Sequence, residues 1–73
     1  MRARAGAVKR ISLLEVFQAR SRCQNEGTSF VEWVAEHRDG LEAGIRHYEA
    51  LGDANSLRHA EALRETIRRP RRW

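Results

Sequence analysis

The chain has 73 residues and a formal net charge of +4, so it is one domain at most. Cys23 is its single cysteine, which excludes an internal disulfide, and no Cys/His cluster has zinc spacing. A core this small is therefore expected to lean on self-association.

Thirteen of the fourteen basic residues are arginine. With many alanines, that skew is what a GC-rich bacterial genome produces, so it speaks of source before ligand. Placement says more. Residues 1–10 carry Arg2, Arg4, Lys9 and Arg10 and no acid. Residues 26–52 carry six acids against Arg38 and Arg46, and residues 53–73 carry six arginines against three acids. The ends are basic and the middle is acidic. No apolar run approaches the length of a membrane span, and Glu15, Gln18 and Arg20 interrupt the stretch after the basic start, which makes it a poor signal peptide. A lone thiol fits a reducing compartment, so the expected location is the cytoplasm.

Residues 1–10 have no hydrophobic period and read as a flexible basic arm. A single helical domain is expected over 11–69. Ser12 and Glu15 have the spacing of a capping box, in which each side chain satisfies a free backbone N–H of the first turn. Ile11 and Val16 stand where a hydrophobic staple would sit. Leu13, Leu14 and Phe17 are the expected inward stripe of this first helix, and Gly27 its stop.

Ser29 and Glu32 repeat the capping-box spacing and open a central stretch. Phe30, Val34, His37, Leu41, Gly44, Tyr48 and Leu51 follow a 4-3 rhythm, which holds one seam on one side of a helix for about six turns. The unbroken rhythm favours one helix over two, although Asp39 and Glu42 also have capping-box spacing and Gly40 is a candidate stop. Gly40 and Gly44 each lower helix propensity by about 1 kcal/mol relative to alanine. Close approach of a neighbouring backbone is the compensation to look for. Val31, Trp33 and Ile45 lie beside the seam and widen it. They are the candidate contacts between two copies of the chain, or with a partner.

Gly52 ends the central helix and Asp53 is a strong cap for the next. Leu57, Ala60, Leu63 and Ile67 line one side of a third helix, which Pro70 stops. YEALGDANSLRHAEALRETI loosely resembles one helix-turn-helix unit of a tetratricopeptide repeat. One unit cannot bury its own face, so the stretch is read as two antiparallel helices and no more. The fold class is then all-α: three helices, a hairpin plus one, in a small bundle expected to dimerise.

Chemistry is sparse. His37, His47 and His59 are never four apart, and none has a nucleophile or carboxylate in a catalytic motif. His37, on the seam, reads as a hydrogen-bonded structural histidine. Glu32, Glu36, Asp39 and Glu42 form a solvated flank. Neither a catalytic residue nor a bound cofactor or metal is expected. The basic ends are more suggestive. Arg64, Arg68, Arg69, Arg71, Arg72 and Trp73 set dense positive charge beside a ring, with Arg2, Arg4, Lys9 and Arg10 at the other end. Nucleic-acid contacts use that composition: arginine for phosphates and an aromatic face for unpaired bases. Residues 13–38 have the outline of a helix-turn-helix reader, but the second helix would present Glu32, Glu36 and Asp39 to phosphates, which is the wrong polarity. The expectation is a small non-enzymatic regulatory protein touching nucleic acid through its basic ends. The alternative is an adaptor or inhibitor whose acidic-apolar central helix docks a protein partner.

Overall fold

A computed structural model describes residues 9–70, and within them every regular element is helical. Four helices follow one another: α1 (Leu13–Glu26), α2 (Phe30–Glu36), α3 (Arg38–Leu51) and α4 (Ala54–Arg68). The three-helix expectation is corrected to four because the central stretch breaks at His37.

Local chemistry sets the boundaries. Ser12 accepts the Glu15 N–H at 3.2 Å while Glu15 accepts the Ser12 N–H at 2.8 Å, so the capping box closes in both directions. Ser29 caps α2 through the Glu32 N–H. Asp53 caps α4 through the Ser56 N–H and also accepts the Ser56 hydroxyl at 2.7 Å. Gly27 and Gly52 end α1 and α3 at φ 71° and 78°, a left-handed conformation that costs glycine nothing sterically.

The break sits at His37 (φ −110°, ψ 19°), two residues before the Asp39–Gly40 step that the sequence offered. The His37 N–H is shared between the Trp33 and Val34 carbonyls, and its ring Nδ1 lies 2.8 Å from the Trp33 oxygen. A carbonyl only accepts, so the ring proton is on Nδ1. The His37 carbonyl then accepts the Leu41 N–H and starts α3. Asp39 and Glu42 do not form a cap; Glu42 pairs instead with Arg38 at 3.2 Å. The 4-3 rhythm survives the break at Val34, Leu41 and Gly44, which are all buried. Leu51, its last member, is exposed.

α3 and α4 form the antiparallel hairpin that dominates the packing, and α1 lies against α2 and α4. The core contains Ile11, Val16, Val34, Leu41, Ile45, Ala60 and Leu63. Leu41, Leu63, Val16 and Thr66 are its largest fully enclosed side chains. Thr66 satisfies its hydroxyl on the Ala62 carbonyl at 2.9 Å, which lets a polar residue sit at 0% exposure.

Two expectations about facing are corrected. Leu14 is 64% exposed and Phe17 42% exposed, although both were expected inside. α1 instead buries Val16, Ala19 and Cys23. Leu14 and Val16 are two residues apart, or about 200° around the helix, so both cannot face inward. Ile11 and Val16 occupy the staple positions and win. In α4, Leu57 is exposed while Ser56, Ala60, Leu63 and Thr66 are buried and Ile67 is half-buried. The inward stripe is turned by one residue from the one that leucine spacing implies.

What fastens α1 to the hairpin is a strap, residues 9–11, laid across Gly40 and Gly44. The Ile11 N–H donates to the Gly40 carbonyl at 3.1 Å. A methyl group built on Gly40 would stand 2.8 Å from the Lys9 carbonyl oxygen, and one on Gly44 would overlap the Ile11 carbonyl oxygen. Both obstacles are backbone, so the two glycines are the close-approach site their spacing suggested. Just beyond the strap, the Leu13 N–H donates to the Tyr48 hydroxyl at 3.3 Å.

Gly44→Ala should destabilise the protein by about 1–3 kcal/mol in urea denaturation, despite the better helix propensity of alanine, because the strap must lift. An unchanged midpoint would remove the strap from the folding argument. Leu41→Ala should cost about 2–5 kcal/mol, whereas Leu14→Ala should fall within about 0.5 kcal/mol.

The cap of α4 carries a pH signature. The Ser56 hydroxyl first, then the Ser56 N–H, hold the Asp53 carboxyl below its ordinary value. A carboxyl with a lower pKa folded than unfolded adds stability that is present above the unfolded value and lost as pH falls through the folded one. Asp53→Asn still caps but does not titrate. Acid unfolding of Asp53→Asn should therefore start from lower stability near neutral pH and converge with the parent in acid.

Candidate functional site

All ten acids lie between positions 9 and 70, and so do ten of the fourteen basic residues. The described body is therefore neutral in formal charge. The net +4 belongs to Arg2, Arg4, Arg71 and Arg72, which lie outside the described residues, as does Trp73.

Inside the body the candidate cations differ in their partners. Arg64 pairs with Glu49 across the α3–α4 hairpin and with Glu61 at 3.7 Å. Arg68 and Arg69 share Glu65 at 3.3 and 3.5 Å. These three guanidiniums, all candidates for phosphate contact, are held by carboxylates of their own chain. Lys9 and Arg10 are exposed, and among the described residues neither makes an ion pair within 4 Å. The strap beneath them fixes where that basic segment is rooted.

The two chain ends also meet the fold on either side of one element. Pro70 borders a groove with Phe30 and Val31 at the start of α2, together with Arg20 and Cys23 of α1. Lys9 borders a recess of about 480 Å³ with Trp33 and His37 at the other end of α2. Seven residues of helix span about 10 Å. α2 is thus a short bridge between the roots of two arginine-bearing segments.

Along α2 runs a column of rings. Phe30 and Trp33 stack with centroids 5.6 Å apart and planes 9° from parallel; Trp33 and His37 stack at 4.5 Å and 20°. Phe30 and Trp33 are half-buried against the core, while His37 is exposed at the end of the column. His37 is hydrogen-bonded as expected, but it is a surface ring and not part of a buried seam. Its place in a column was legible only as the i, i+3, i+7 spacing of 30, 33 and 37, which core residues share.

Of the residues expected at a contact between chains, Ile45 belongs to the core at 9% exposure and is enclosed by its own chain. Trp33 and Val31 are half-buried and keep some surface. His47 and His59 sit around Tyr48, with the His59 ring edge-on to it at 5.0 Å. Cys23 is a buried free thiol. Among the described residues, no group of three or more His, Cys, Asp or Glu side chains is placed to hold a metal, and no helix is long and apolar enough to cross a membrane. No family model, curated protein or solved structure matches the chain.

The Arg64–Glu49 pair is more than a third exposed on both sides, so its contribution is that of a surface ion pair. Arg64→Ala should lower stability by about 0.2–1 kcal/mol in a urea titration. A larger loss would mark that guanidinium as structural.

Proposed function

We propose that this chain is a small non-enzymatic regulatory protein that holds nucleic acid through its two basic ends. The observation that carries this reading is the placement of charge: residues 11–69 hold ten acids against eight basic residues, while Arg2, Arg4, Lys9, Arg10, Arg71 and Arg72 lie on the two flanks with no acid beside them. A neutral body has no general attraction for a polyanion. Segments with uncompensated arginines do, and they gain affinity by releasing counterions from phosphates. Lys9 and Pro70, where the two segments join the fold, border grooves at the two ends of α2, a helix of only seven residues. Arg64, Arg68 and Arg69, being held by Glu49, Glu61 and Glu65, contribute less than their number suggests.

A second reading keeps one specific observation. Val31 and Trp33 leave apolar surface on α2, which suits a second copy of the chain or another protein. The wider apolar face once expected of the central stretch is spent on its own core, which leaves this reading the weaker. Association of that kind would be saturable and nearly indifferent to salt.

Salt titration separates the two. Binding of full-length protein to a single-stranded oligonucleotide should weaken steeply with salt. A chain ending at Arg69 loses Arg71 and Arg72, and the slope of log affinity against log salt should fall by about 0.7 for each phosphate contact removed. Trp73→Ala should leave that slope in place and weaken single-strand binding by about 1–3 kcal/mol. If full-length protein binds no oligonucleotide even at low salt, the nucleic-acid reading fails.

A further inference from the structure

We propose that the exposed ring of His37 is a stacking platform for one unpaired, amino-bearing nucleobase. The proposal rests on the reading that the basic ends hold nucleic acid, and it names where on the body a base is received. Three observations carry it.

The first is the column itself. Phe30, Trp33 and His37 stack in near-parallel planes, and the column ends at an exposed ring. Among the described residues the one ring stacked on His37 is Trp33. A base added to the column continues a stack that is already built, and every base has a π-face to offer.

The second is preorganisation. The His37 ring is pinned by its Nδ1–H on the Trp33 carbonyl at 2.8 Å and by the Trp33 indole beneath it. A ring held by a hydrogen bond and a stack loses little rotamer freedom when a ligand arrives.

The third is the chemistry of the recess that His37 borders. It holds cations and carboxylates together: Lys9 and Arg22 on one hand, Glu36 and Asp39 on the other. Glu15 also borders it but is engaged in capping Ser12. The mixture suits a nucleotide better than a free phosphate. Lys9 and Arg22 can take the backbone phosphate. The carboxylates repel phosphate but accept hydrogen bonds from an exocyclic amino group, as acidic side chains do from cytosine N4. Thymine and uracil lack that amino group, so the recess selects against them.

The test uses the full-length protein at low salt with oligo(dC) and oligo(dT) of equal length. On adding oligo(dC), the ring-proton resonances of His37 should move upfield from the ring current of the stacked base, while those of His47 and His59 stay in place. The His37 signals are identified by their loss in His37→Phe. Oligo(dC) should bind several-fold tighter than oligo(dT). His37→Ala should weaken oligo(dC) binding about tenfold with the salt slope unchanged, and His37→Phe, which restores a π-face, should recover most of it. If His37→Ala proves too unstable to assay, the resonance shifts and His37→Phe still decide. Tight, salt-dependent binding with unmoved His37 resonances would overturn the platform while leaving the basic ends as the binding element. Equal affinity for the two oligonucleotides would overturn the role given to Glu36 and Asp39. Absence of binding by either oligonucleotide would overturn both this inference and the reading beneath it.

Discussion

The fold depends on a contact between backbones. The strap at residues 9–11 lies so close to α3 that no side chain fits between them, and Gly40 and Gly44 exist to permit it. Ile11 then does two things at once. Its N–H closes on the Gly40 carbonyl, and its side chain enters the core beside Leu41 and Leu63. Because the strap leads directly into the capping box of α1, it also sets the rotation of that helix. Val16 is drawn inward with Ile11, and Leu14 is turned out. Two glycines thus decide which face of a different helix, nearly thirty residues away, becomes core.

Much of this was legible. The caps of all three capped helices stand at Ser12, Ser29 and Asp53, where a short polar side chain precedes the first turn. These signals work from sequence because the groups they join are three residues apart. The glycine pair was also readable as a close approach, but not what would approach. That partner lies far off in sequence, and nothing in Lys9 and Arg10 distinguishes a strap from an arm; the anchor is Ile11, which follows them. A break in the central stretch is readable at Asp39–Gly40, but the continuous rhythm argues against it and its true place, His37, carries no signal of its own. The cause of the break is a ring folding back on the Trp33 carbonyl while the apolar rhythm carries on undisturbed. Periodicity records which residues face inward and is blind to a single turn of chain that preserves the facing. Leu14 and Phe17 look inward by bulk alone, but the staple is the stronger constraint once its first member is tied to another helix.

The candidate site shows the same division. That the ends are basic is plain from the sequence. Which cations are already spent is not, because Arg64 meets Glu49 across a hairpin and no local pattern announces it. The neutrality of the body follows from counting, yet its meaning appears only once both ends are seen to flank α2. A protein arranged in this way separates its tasks. On the proposed reading the helices would set positions and the termini supply the field.

The strap has a kinetic meaning as well. Leu13 and Tyr48 are joined by a hydrogen bond across 35 positions, and the strap closes a loop of similar length, whereas the α3–α4 hairpin forms from neighbours in the chain. Closing the longer loop is entropically dearer and slower, so the hairpin is the natural nucleus and the strap its late lock. During synthesis residues 9–11 emerge before Gly40 and Gly44 and have nothing to grip until those two follow. Comparing folding-rate effects at Ile11 and Leu63 would read the order directly, with a small fractional effect at Ile11 and a large one at Leu63.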